Sequence, residues 1–182
     1  MILTKASGMP DLRELLPKIK SRYEQRNSGG TLLCRQGFHK DCAVLKLQKT
    51  SWTNDSFDRI QNESGIFFSI WVNADDFGKG RVNYNIHALK LRKLIGYSIA
   101  SRDFAADFRD RFASVGDCWP NVSVNYGPLT LMQGWSRTNL EHFEEDALVL
   151  MERFKDLSPL IDRLLESRRR NVSVLLPAAA SP

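Results

Sequence analysis

The chain has 182 residues, of which 42% are hydrophobic and 26% charged, with a formal net charge of +5. That size and balance suit one globular domain with its own core, and exclude collagen-like, low-complexity and wholly disordered chains. No apolar run approaches the roughly 20 residues needed to cross a bilayer, and the first residues, MILTKASGMPDLRELLPKIK, lack the apolar stretch of a secretory signal. Three cysteines, Cys34, Cys42 and Cys118, make an odd, low count that argues for a reducing cytoplasm and against a disulfide framework.

The elements follow in order. Residues 11–26 read as a helix capped by Asp11, with Leu12, Leu15, Leu16, Ile19 and Tyr23 on one face and Pro17 inside the pattern. Residues 43–50 form the first clear strand, in which Leu45 and Leu47 alternate with Lys46 and Gln48. A polar loop runs over 53–64. Residues 65–73, GIFFSIWVN, are nearly all apolar and suit a central strand covered on both faces, with Trp71 in the core. The segment from Asp75 to Gly80 reads as a turn. In 81–87, Val82, Tyr84 and Ile86 face one way, and Arg81, Asn83, Asn85 and His87 the other. The phase slips at Leu89, which predicts a bulge near Ala88 or a strand end.

Asp103 opens a helix over 101–114, with Phe104, Phe108 and Phe112 on one face. Short strands are expected at 122–126 and 129–133. Thr138 to Glu141 matches a capping box, opening a helix whose apolar face runs from Leu140 to Phe154; Ser158-Pro159 then starts a last helix to about Ser167. The order predicts an α+β domain over 11–167: a mostly antiparallel sheet of four to five strands with helices packed on one face. Residues 1–10 and 171–182 read as flexible tails.

Charge is unevenly spread. Residues 1–50 carry +6, residues 51–78 carry −4 and residues 79–136 carry +4. From Lys79 to Arg102 there are six basic side chains (Lys79, Arg81, Lys90, Arg92, Lys93 and Arg102) and no acid. Such a strip can attract nucleic acid or an acidic partner; it can equally be a solvated strand edge, and the solvated reading is preferred.

The strong catalytic motifs are missing. There is no P-loop, no Gly-x-Gly-x-x-Gly, no Gly-x-Ser-x-Gly, no His-Glu-x-x-His and no Cys-x-x-Cys. Cys34, His39 and Cys42 lie close in sequence, but their spacing fits no common zinc site, and packing is the preferred reading. Asp75 and Asp76 at a strand end suit a turn better than a metal or general base. No residue is therefore assigned a catalytic or metal role, and no cofactor is expected. The candidate binding residues are the polar row Arg81, Asn83, Asn85 and His87, the basic Arg92 and Arg102, and Trp52, placed at a strand end where an exposed indole would make a hot spot.

A family resemblance accompanies these features. Gly37-Phe38-His39-Lys40 follows the first helix; Leu47-Gln48-Lys49 leads into Ser51-Trp52; Asn85-Ile86-His87 follows the apolar strand. Ser101-Arg102 then enters a helix, before a Trp-Pro stretch and a C-terminal helical pair. Over about residues 11–166 this resembles the bacterial domain-of-unknown-function family 4304, except that the strand expected after Gly37-Phe38 is fused with, or missing before, 43–50. The resemblance implies an α+β cytoplasmic bacterial domain and brings no catalytic residues. The expectation is a non-catalytic interaction module, of immunity or accessory type, binding a macromolecular partner, a protein in the first instance and not a membrane. The alternative is a nucleic-acid-associated protein, even a metal-dependent hydrolase, using the basic strip.

Overall fold

The structure, a computed structural model, describes residues 11–56, 60 and 63–170. The tails expected at 1–10 and 171–182 lie outside the described residues. Five strands form one open antiparallel sheet in the order β1-β2-β3-β4-β5, each pairing with its neighbours in sequence. They are β1 (Leu33–His39), β2 (Cys42–Gln48), β3 (Gly65–Val72), β4 (Arg81–Leu89) and β5 (Thr130–Arg137). The helices are α1 (Leu12–Arg26), the one-turn α2 (Ala74–Gly78), α3 (Ser101–Phe112) and α4 (Phe143–Glu166). The α+β architecture is as the pattern predicts.

One face of the sheet carries the core. Phe68 and Ile70 of β3, Tyr84 and Ile86 of β4, and Leu45 and Leu47 of β2 are all at most 2% exposed. Against them pack Leu16, Ile19 and Tyr23 of α1, Phe104 and Phe108 of α3, and the apolar stripe of α4. Phe154 of α4 sits at the centre, stacked on Phe68 at 4.6 Å and against Trp119 at 5.0 Å. Gly134 of β5 makes room for this layer, since a Cβ there would lie 2.4 Å from the Tyr84 hydroxyl, which itself donates to the Pro120 carbonyl.

Several local expectations change. The segment before residue 43 is a full strand, β1, in register with β2 from Leu33↔Gln48 to His39↔Cys42 and joined to it by Lys40-Asp41. Gly37-Phe38 lies inside that strand. On its helix side β1 carries Cys34, Gln36 and Phe38 opposite Leu47, Leu45 and Ala43, a pattern too polar to register as a strand, as an edge position tolerates. The turn expected at 75–80 contains α2, capped by the Asn73 side chain, which accepts from the Asp76 N–H at 2.8 Å. The residues expected as a strand at 122–126 contribute one bridge, Ser123 to Gln133.

The two C-terminal helices are one. Pro159 lies inside α4, exposed, while Leu160, Ile161, Leu164 and Leu165 continue the buried stripe past it. A proline inside a helix costs roughly 3 kcal/mol; burying four aliphatic side chains beyond it, at about 1.5–3 kcal/mol each, outweighs it. The start also moves. Asn139 accepts from the His142 N–H at 2.9 Å and α4 begins at Phe143, so the box from Thr138 does not form and Leu140 is 50% exposed. The bulge falls between Ile86 and His87, which pair with Met132 and Thr130 and leave Leu131 as the extra residue. Ala88 stays on the core side, and Leu89 ends the strand on the other.

Candidate functional site

The alternation that buries one face of the sheet places a different set of side chains on the face the helices leave open. Register carries one polar residue per strand straight across it: Arg35 opposite Lys46, Lys46 opposite Ser69, Ser69 opposite Asn85, and Asn85 opposite Gln133. On one side of this row stand Val44 and Trp71, which pair directly; on the other stand Phe67 and His87, whose rings lie 5.3 Å apart. The result is a cavity of about 520 Å³ whose walls include Val44, Phe67, Trp71 and Leu89 and whose polar groups include Ser69, Asn85, His87 and Gln133. Ile60 closes it on the β1 side, seated over Gly37, where a Cβ would come 2.8 Å from the isoleucine.

The polar groups are held firmly. Asn85 is 4% exposed and accepts from the Ser69 hydroxyl through Oδ1. Its Nδ2 has no hydrogen-bond partner among the described residues. The same holds for the Gln133 side-chain amide. The His87 Nδ1 approaches the Thr130 hydroxyl at 3.2 Å and the Leu129 carbonyl at 3.4 Å. Burial pushes the His87 pKa below its usual 6.5, although the Leu129 carbonyl opposes the shift, so the ring is neutral at pH 7. Lys46 is 2% exposed, and burial lowers its pKa to about 8 against the opposing pull of Asp55. Its ammonium sits 5.0 Å over the Phe67 ring.

The candidates named from the sequence divide. Asn85 and His87 line this cavity. Asn83 shares their face, but donates its Nδ2 to Asp76 at 2.9 Å. Arg81 borders a separate open hollow of about 500 Å³, with Trp135, Arg137, His142 and Asp146, where its guanidinium lies 4.2 Å over the Trp135 ring. Arg92 and Arg102 are exposed, in the turn after β4 and the first turn of α3. Trp52 does not offer an exposed indole: it is 0% exposed, edge-on to Phe68, and its Nε1 donates to Asp162 of α4 at 2.9 Å. Trp71, expected in the core, instead faces the open side and is part of the cavity wall.

The basic strip is broken up. Lys79 and Arg81 lie at one end of β4 and Lys90, Arg92 and Lys93 beyond the other. At about 3.3 Å per residue, the nine-residue strand sets these groups roughly 26 Å apart. Lys79 is also paired with Asp75 at 2.6 Å.

Two of the three thiols are not poised as nucleophiles. Burial raises the Cys34 thiol to about 12, and raises the Cys42 thiol too, so neither is a ready thiolate. Cys34 projects to the helix side of β1, whereas His39 and Cys42 border the open-face cavity. The sheet therefore separates the three residues that were close in sequence, and no metal-binding cluster occurs among the described residues. No described helix is long and apolar enough to cross a membrane.

Sequence reasoning missed Lys46, Ser69, Trp71 and Gln133. The available signal was Ser69, the one hydroxyl inside an otherwise apolar strand, flanked at two-residue spacing by Phe67 and Trp71. Compared with known proteins, the chain matches no family model, no curated protein and no solved structure.

Proposed function

We propose that this protein is a non-catalytic binding module and that the helix-free face of its sheet is the surface it binds with. The observation that carries this reading is the cavity on that face, where a nearly buried Asn85 presents an unpartnered amide between aromatic walls. Ligand sites are typically concave hollows of roughly 300–1,000 Å³, mostly apolar, with a few convergent polar groups. Three free cysteines fit a reducing cytoplasmic setting. The nucleic-acid reading is less well supported, because the basic groups sit at opposite ends of β4 and form no continuous track for a phosphate backbone.

The test is a nuclear magnetic resonance screen of the full chain with a fragment library of mixed charge and polarity. Amide shifts should gather on residues 44–46, 67–71, 85–89 and 133. Shifts gathered around Arg81 and Arg137, or scattered over the helices, would refute the assignment of the binding face.

A further inference from the structure

The composition of the cavity narrows what it can hold, given the binding face proposed above. Its hydrogen-bonding capacity is concentrated on β4 and β5. Asn85 and Gln133 face each other directly in register, and His87 stands two residues from Asn85 along the same face. The Asn85 Nδ2, the Gln133 amide and the second ring nitrogen of His87 all lack hydrogen-bond partners among the described residues. The Asn85 side chain is held by Ser69 through Oδ1, which leaves its Nδ2 donors uncommitted at the cavity surface. Asn85 therefore calls for an acceptor oxygen or ring nitrogen inside the cavity, and Gln133 beside it can supply both a donor and an acceptor.

The charge pattern points the same way. Among the described residues no aspartate or glutamate lines the cavity, so these residues offer a cationic ligand no counter-charge. The one lysine among the described lining residues, Lys46, is already engaged by the Phe67 ring and lies in the field of Asp55, so it does not call for a full negative charge on the ligand. The apolar walls, Val44, Phe67, Trp71 and Leu89, suit a flat or compact hydrocarbon body.

We propose that the cavity binds a small uncharged molecule whose flat apolar body carries a carboxamide or an equivalent lactam or imide edge, with its carbonyl accepting from Asn85 and its N–H donating to the Gln133 side-chain oxygen. Binding is reversible and no covalent step is involved.

A matched series of four one-ring probes tests this: benzamide, toluene, benzoate and benzylamine, titrated into the full-length protein by nuclear magnetic resonance. Benzamide should bind in the cavity at least tenfold more tightly than each of the other three. Gln133→Met, at a partly exposed position that can be changed without opening the core, should weaken benzamide about tenfold and leave toluene unchanged. Asn85→Leu should do the same, with its amide spectrum confirming that the variant is folded. Benzoate or benzylamine binding more tightly than benzamide would overturn the uncharged assignment. Toluene entering the cavity as well as benzamide, or Gln133→Met binding benzamide like the parent, would overturn the amide-recognition inference while leaving the binding face standing. Failure of the binding face itself is read separately, from fragment shifts gathering elsewhere on the molecule. A requirement for a long peptide, with none of the probes entering the cavity, would replace the small molecule by a protein partner.

Discussion

Truncating Phe154 and truncating Trp71 should have unequal effects, because the two faces of the sheet are built differently. Phe154 is 0% exposed and its ring meets Phe68 at 4.6 Å, Trp119 at 5.0 Å and Tyr84 at 6.2 Å. Replacing it by alanine removes the transfer energy of a benzyl group and leaves a void sealed between α4 and the sheet, so about 4 kcal/mol should be lost. In a chain of 182 residues, at about 2–4 °C per kcal/mol, the melting temperature should fall by roughly 8–16 °C. Trp71 is larger but forms one wall of a cavity open to solvent, so water refills the space left by truncation, and Trp71→Ala should cost only about 1–2 kcal/mol. Urea unfolding followed by far-ultraviolet circular dichroism measures both losses, and an unchanged urea slope certifies that they are stability differences. A Trp71→Ala loss equal to or larger than that of Phe154→Ala would mean that the helices cover the Trp71 face of the sheet. A Phe154→Ala loss below about 1.5 kcal/mol would mean that the aromatic cluster is not closely packed.

Gly65→Ala should destabilise by about 2–4 kcal/mol, because Gly65 has φ +110° and a Cβ there would lie 2.3 Å from the Trp52 carbonyl oxygen; a melt like that of the parent would show that β3 starts elsewhere. Lys46→Met should stabilise the protein at pH 7, since burial lowers the Lys46 pKa to about 8. Below that pH the native state carries a proton its site disfavours, so the advantage of the methionine variant should shrink as pH rises from 8 toward 10.5, where the unfolded lysine also deprotonates. An advantage independent of pH would place the ammonium in solvent. Iodoacetamide at pH 8 should label exposed Cys118 in the native protein and spare Cys34, which is 2% exposed and whose thiol burial pushes to about 12; peptide mass spectrometry showing equal labelling of the two would contradict the placement of β1 beneath α1.

Local pattern alone determined much of this molecule. The spacing of Leu12, Leu16, Ile19 and Tyr23 requires a helix, and so does that of Phe104, Phe108 and Phe112, because only a period near 3.6 brings those positions to one side. The alternation through Arg81–His87 defined two faces of β4 before any partner was known, and it correctly set Asn85 and His87 apart from Tyr84 and Ile86. Which of those faces would meet helices and which would frame a cavity depended on residues far away in the chain. Asn85 became a site residue when β3 brought Ser69 to one side of it and β5 brought Gln133 to the other, across separations of 16 and 48 positions. Trp52 shows the converse: its neighbours in sequence read as a surface loop, and only Asp162, 110 residues on, supplies the acceptor that lets its indole be buried. The edge strand β1 and the continuous α4 were decided in the same way, by pairing with β2 in one case and by apolar burial past Pro159 in the other. Periodicity records which side chains share a face, whereas the free energy of covering that face comes from surfaces that meet only once the chain has folded.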